Sequence, residues 1–243
     1  MMRKYSMLLT LCFVITASAG WLFTNGSGRI ESENREVAQF TEVRIKGETY
    51  VTRADFEVFL TQDASHALVI EADDNILPMV KSEVRGGTLT IWNDEWFRSS
   101  NNVRIYISSP EFRKVHIDGL AEVKTQTPIL SPRFEITING SGRVDLNIDA
   151  ETLDAIINGR GDIGLVGQTD RLRIQINGHG NIDALSLTSK SADVTINGAG
   201  DVALEALETL DIEINGIGKV LYIGSPDVKP SITGSGKIER IDE

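Results

Sequence analysis

LDAIINGRGDIGL, residues 153–165, decides how the rest of the chain is read. Leu153, Ala155 and Ile157 alternate with other residues before Asn158-Gly159, and Ile163 and Leu165 resume the alternation after Gly161. A period of two belongs to a half-buried β-strand and not to a helix. Glycine permits positive φ and close backbone approach, and asparagine tolerates left-handed geometry, so the chain is expected to turn sharply between the two arms.

The same template recurs five more times. FEITINGSGRVDL (134–146) precedes it, and LRIQINGHGNIDA (172–184), ADVTINGAGDVAL (192–204), LDIEINGIGKVLY (210–222) and VKPSITGSGKIER (228–240) follow. The isoleucines at 138, 157, 176, 196, 214 and 232 are spaced by 19, 19, 20, 18 and 18 residues. A weaker copy, VHIDGLAEV (115–123), stands 21 residues before the first. Fixed periods of this size mark repeat architectures. The turn positions are Asn139, Gly140, Gly142, Asn158, Gly159, Gly161, Asn177, Gly178, Gly180, Asn197, Gly198, Gly200, Asn215, Gly216, Gly218, Gly234 and Gly236.

Two architectures fit such a unit: a meander with hairpins at each Asn-Gly, or a β-solenoid whose coils stack ~4.8 Å apart. Identical columns favour the solenoid, since like residues then form ladders. Asn139, Asn158, Asn177, Asn197 and Asn215 would form a side-chain amide ladder. Thr233 and Pro230 in the last copy suit a terminal, capping coil. The expected fold is therefore all-β: about six regular coils of 18–20 residues over 131–241, preceded by a less regular strand-rich part, 28–130, continuous with it. Strands are expected at 36–47, 55–62, 67–72, 87–92 and 102–108, with a short helical turn within 73–84 limited by Pro78. No linker separates the two parts, so 28–241 is one domain.

The first residues stand apart. Arg3 and Lys4 precede an apolar run from Met7 to Thr16, and Ala17-Ser18-Ala19 has the small-x-small form of a signal-peptidase site. Residues 1–19 thus read as a signal peptide; the other reading is an uncleaved anchor reaching about Phe23, which would be the chain's one membrane contact. Removing 1–19 takes away the single cysteine, Cys12, and two positive charges with no acid, moving the formal charge from −11 to −13. The exported part must then be held by packing, without disulfides. Its charge repels nucleic acid, which is excluded as a partner.

The repeated I-N-G-x-G-x-[VI] units ending in GSGKIERI (234–241), with VAQFTEVRIKG (37–47) and VIEADDNILPMVKSEVRGGTLTIW (69–92) ahead of them, resemble the GIN-type head domain of putative autotransporter adhesins. The resemblance covers roughly residues 28–241. It implies a right-handed parallel β-helix and a cell-envelope location, and it carries over no catalytic residue.

The chemical motifs mostly dissolve into the repeat. Arg160-Gly161-Asp162 is a tripeptide from two variable positions around a repeated glycine, so integrin-type recognition is not expected. Each G-x-G leads into a strand, whereas a phosphate loop feeds a helix N-terminus. The calcium-binding nonapeptide repeat needs a shorter period and regular aspartates. His66, His116 and His179 fall in different segments, and His116 and His179 differ in frame. Asp162 and Asp201 share a column separated by Asn181, and Asp145 and Asp183 share another separated by Gly164; this spreads charge along a solvated face. No metal or cofactor is expected, and no enzyme activity.

One stretch stays outside the repeat: IWNDEWFRSSNN (91–102). Trp92, Trp96, Phe97 and Arg98 could contact a glycan or protein partner. Alternatively, Trp92 faces the core while Trp96 and Phe97 cover the open end of the solenoid. The expectation is an exported protein (periplasmic, on the outer surface or secreted) that binds a surface ligand as an adhesin does. The alternatives are a structural envelope subunit docking a protein, or a carbohydrate-active enzyme on a β-helix.

Overall fold

Alternating apolar residues across stretches of 16–18 residues produce long strands that end at the Asn-Gly corners. The computed structural model describes residues 23–47 and 56–242; the expected signal segment at 1–19 and Asp55, the first residue of one expected strand, lie outside them. The early strands are β1 (Thr24–Asn25), β2 (Ile30–Arg35), β3 (Glu42–Lys46), β4 (Phe56–Gln62), β5 (Ala67–Asp73), β6 (Val80–Arg85), β7 (Thr88–Asn93), β8 (Phe97–Arg98) and β9 (Val103–Ser109). Then come β10 (Lys114–Ile117), β11 (Leu120–Thr125), β12 (Ile129–Ile138), β13 (Ser141–Ile157), β14 (Arg160–Ile176), β15 (His179–Ile196), β16 (Ala199–Ile214), β17 (Ile217–Ile223), β18 (Asp227–Ile232) and β19 (Ser235–Arg240).

Every pairing in the repeat region is parallel. Ile138 lies beside Ile157, Ile157 beside Ile176, Ile176 beside Ile196 and Ile196 beside Ile214. The protein is a β-solenoid of about seven turns with a less regular N-terminal part. The isoleucine column continues through Ile117, Ile45 and Ile91. All members are fully buried except Ile232 in the last turn, which is 45% exposed. Each such buried side chain contributes ~1.5–3 kcal/mol of transfer free energy.

The N-terminal part belongs to the same stack, in an order unlike chain order. β3 and β4 pair with β10 and β11 on one side and with β7 and β9 on the other. The β7/β9 layer is therefore the first turn, although it follows β3/β4 in the chain. Its two outer edges are closed by antiparallel partners, β6 on β7 and β5 on β9, and β2 then adds to β5. This shields parallel edges that would otherwise template aggregation. The expected helical turn exists as a 3-10 turn at Leu77–Met79 containing Pro78.

Two expectations change. Of residues 36–47, only Glu42–Lys46 is strand, while IESENR (β2) is a strand with no apolar alternation to announce it. Its side chains are mostly exposed, so no core face disciplines its pattern. The corner glycines use only one of the two properties expected of them, close backbone approach and not positive φ. None of the Asn-Gly-x-Gly glycines has positive φ, and among the described residues no non-glycine residue does. Their constraint is stacking distance: a Cβ at Gly159 would sit 2.0 Å from the Gly140 carbonyl oxygen.

Candidate functional site

Strand parity settles Trp92. In β7, Leu89, Ile91 and Asn93 are buried, so Thr88, Thr90 and Trp92 face outward. Trp92 lies opposite Lys81 of β6 and Lys46 of β3. It also extends the asparagine column, because Lys46 is opposite Trp92 and Asp118 follows the Ile45–Ile117 pair. Reading along the stack, that column is Trp92, Lys46, Asp118, Asn139, then the remaining asparagines.

Trp92 lines an open groove of about 760 Å³ with Glu33, Arg35, Pro78, Lys81 and Asp94. The Lys81 ammonium donates to the Pro78 carbonyl at 2.6 Å and lies 3.5 Å from the Asp94 carboxylate. Arg35 is turned inward. It donates to the carbonyls of Val80 at 2.7 Å and Leu77 at 3.2 Å, holding the 3-10 turn that forms the groove floor. Buried Asn93 donates to the Glu95 carbonyl at 3.1 Å and shapes the bend that follows.

The other three aromatic-loop residues separate. Trp96 is 38% exposed and stacks on Phe23 with centroids 6.2 Å apart. The Arg98 guanidinium lies 4.3 Å from the Phe23 ring centre. Phe97 is completely buried, where β8 pairs with β1, and offers no surface to a partner. Phe97 is thus a core residue, whereas Trp92 turns away from the core. Buried Asp73 fastens this end by accepting hydrogen bonds from Gly28 N at 2.6 Å, Asn101 Nδ2 at 3.3 Å and the Ser99 hydroxyl.

The asparagines form a continuous amide ladder. Asn158 donates to Asn139 at 2.8 Å, Asn177 to Asn158 at 2.7 Å, Asn197 to Asn177 at 2.8 Å and Asn215 to Asn197 at 3.0 Å. Asn139 donates onward to Asp118 at 2.8 Å and makes a 2.8 Å contact with His116 Nε2. Burial holds the His116 imidazole below its ordinary value, with Asp118 partly opposing.

Arg160-Gly161-Asp162 lies within β14, in register with Ser141-Gly142-Arg143 and His179-Gly180-Asn181, and does not project as a loop. Asp162 accepts from Asn181 at 3.0 Å, and Gly164 separates Asp145 from Asp183. His66 packs on Phe40 and contacts Ser109, far in sequence from His116 and His179. A second corner in each turn escaped the sequence reading. Ser131, Ala150, Thr169, Ser189 and Ala206 stack there, and their only sequence signal is a column of small residues.

Several crystal structures share this fold. A "putative adhesin" from Bacteroides fragilis NCTC 9343 is 24% identical, with TM-score 0.78, covering 89% of this chain and 99% of its own. A "putative lipid binding protein" from Parabacteroides distasonis ATCC 8503 is 23% identical, with TM-score 0.69 and coverage of 90% and 100%. A "putative adhesin" from Parabacteroides merdae ATCC 43184 is 19% identical, with TM-score 0.66 and coverage of 90% and 99%. At these identities the likeness carries the fold alone. No curated protein matches the chain. Residues 39–226 match the family described as "Putative auto-transporter adhesin, head GIN domain", and the chain belongs to that family.

Proposed function

We propose that this protein is an exported, non-catalytic binding module of the cell envelope that holds a glycan in the Trp92 groove. The observation that carries this reading is the outward indole of Trp92 in an open groove, with a paired ammonium and carboxylate beside it. An indole face covers the apolar face of a sugar ring, and flanking Lys81 and Asp94 can exchange hydrogen bonds with its hydroxyls. The groove's mixed charges favour a neutral saccharide over an acidic one. The strand columns, where Asn181 and Gly164 keep aspartates apart, support binding without turnover. Export is supported by the family and by the leader-like residues 1–19.

The test is a glycan array with residues 20–243, alongside the variants Trp92→Ala and Trp96→Ala. A bound neutral glycan, lost in Trp92→Ala and kept in Trp96→Ala, is the expected result. Equal binding by wild type and Trp92→Ala, or hydrolysis of the bound glycan, would refute the reading.

A further inference from the structure

The second corner forms a groove that runs along the solenoid axis, away from the strands' own direction. Its floor is the column Ser131, Ala150 and Thr169, in register from turn to turn, and fully buried Ser189 continues that column between the lining residues Thr188 and Lys190. The hydroxyls of this column are occupied by backbone. Ser131 donates to the Arg133 carbonyl at 2.8 Å, Thr169 to that of Arg171 at 3.2 Å, and Ser189 to that of Glu205 at 2.6 Å. The floor's hydroxyls are thus already spent on backbone, and recognition falls to the rims.

The groove has a volume of about 670 Å³. Leu130, 60% exposed, stands at one end, and Leu207, 48% exposed, at the other. Asp149, Glu151 and Asp170 lie between them. The nearby cation, Lys190, is 2.5 Å from Asp170 and already neutralised by it. Four layer steps of ~4.8 Å separate the turns of Leu130 and Leu207, which is about the length of six extended residues at ~3.3 Å each. Leucines left in water at both ends of an acidic channel specify an occupant with apolar ends and positive charge between.

We propose that this groove docks an extended segment of a partner protein, with lysine or arginine flanked by apolar residues. Ammonium or guanidinium groups would pair with Asp149 and Glu151, and the apolar ends would cover Leu130 and Leu207. This site is independent of the Trp92 groove and of glycan binding. Two exposed ion pairs at up to ~1 kcal/mol each predict about ten-fold selectivity for a cationic segment.

Fluorescence anisotropy with residues 20–243 tests it, using labelled Leu-Lys-Ala-Lys-Ala-Leu and Leu-Glu-Ala-Glu-Ala-Leu hexapeptides. The lysine peptide should bind about ten-fold more tightly, with affinity falling as salt screens the pairs. The double variant Asp149→Lys, Glu151→Lys should reverse the preference, and Leu207→Ser should weaken the lysine peptide several-fold. Trp92→Ala should leave the peptide affinity unchanged, separating this site from glycan binding. Equal affinity for the two peptides would overturn the proposal. So would unchanged lysine-peptide affinity in both rim variants at wild-type melting temperature.

Discussion

Asn158 donates its side-chain amide to Asn139 at 2.8 Å, although 19 residues of chain separate them. One turn of the solenoid closes that interval, and each later asparagine repeats the bond in the same direction. The direction explains the head of the ladder. The first place needs an acceptor only, and Asp118, which has no donor when ionised, fills it.

Asn177→Ala should therefore cost about 1–2 kcal/mol although the residue is exposed, because it removes bonds to Asn158 and Asn197 together. Chemical denaturation of Asn158→Ala, Asn177→Ala and the double variant would measure their coupling. Strictly additive losses would mean that the Asn158–Asn177 bond contributes nothing to stability.

Gly159→Ala should cost about 3 kcal/mol or more, since its Cβ would lie 2.0 Å from the Gly140 carbonyl oxygen and 2.3 Å from that of Asn139. Arg160→Ala and Asp162→Ala should stay within ~0.5 kcal/mol. Gly86→Ala is an informative contrast. Its space is open but its φ is +59°, so strain alone should cost about 1 kcal/mol. Thermal melts of the four variants would order them, and equal losses would contradict the stacking account.

Acid should weaken the head of the ladder. Burial places the folded-state value of His116 below its unfolded value, so between the two the unfolded chain binds more protons. The contribution is complete above about pH 6.5 and is lost as pH falls through that value toward the folded one. Protonation also removes the Nε2 lone pair facing Asn139. Melting temperature should drop on acidification, and His116→Gln should flatten the drop. An identical slope in the variant would remove His116 from the explanation.

The last turn is guarded by sequence. Thr233 N donates to the Ile214 carbonyl, so alternation turns the nitrogen of Pro230 away from β16 and toward the unpaired edge of β18. A proline there withholds one edge donor, and Lys229 and Lys237 on β18 and β19 add charge. Pro230→Val should raise end-to-end association, read as a concentration-dependent increase in sedimentation coefficient. A strictly monomeric variant would show that the proline does not protect the edge.

Sequence by itself determined the regular turns. Period-two arms, repeated Asn-Gly corners and near-constant spacing admit parallel stacking because each turn's neighbour is its own copy. The site was less legible. Trp92, Trp96 and Phe97 lie within six residues, yet one lines a groove, one stacks on Phe23 and one is core. Their fates depend on where β7 ends and on β1, which no local period records. Only the tertiary structure decided that β7/β9 precedes β3/β4 in the stack, that close carbonyls and not positive φ demand the corner glycines, and that a second corner opens into an acidic groove. These outcomes rest on contacts between segments distant in sequence, where short-range alternation carries no information.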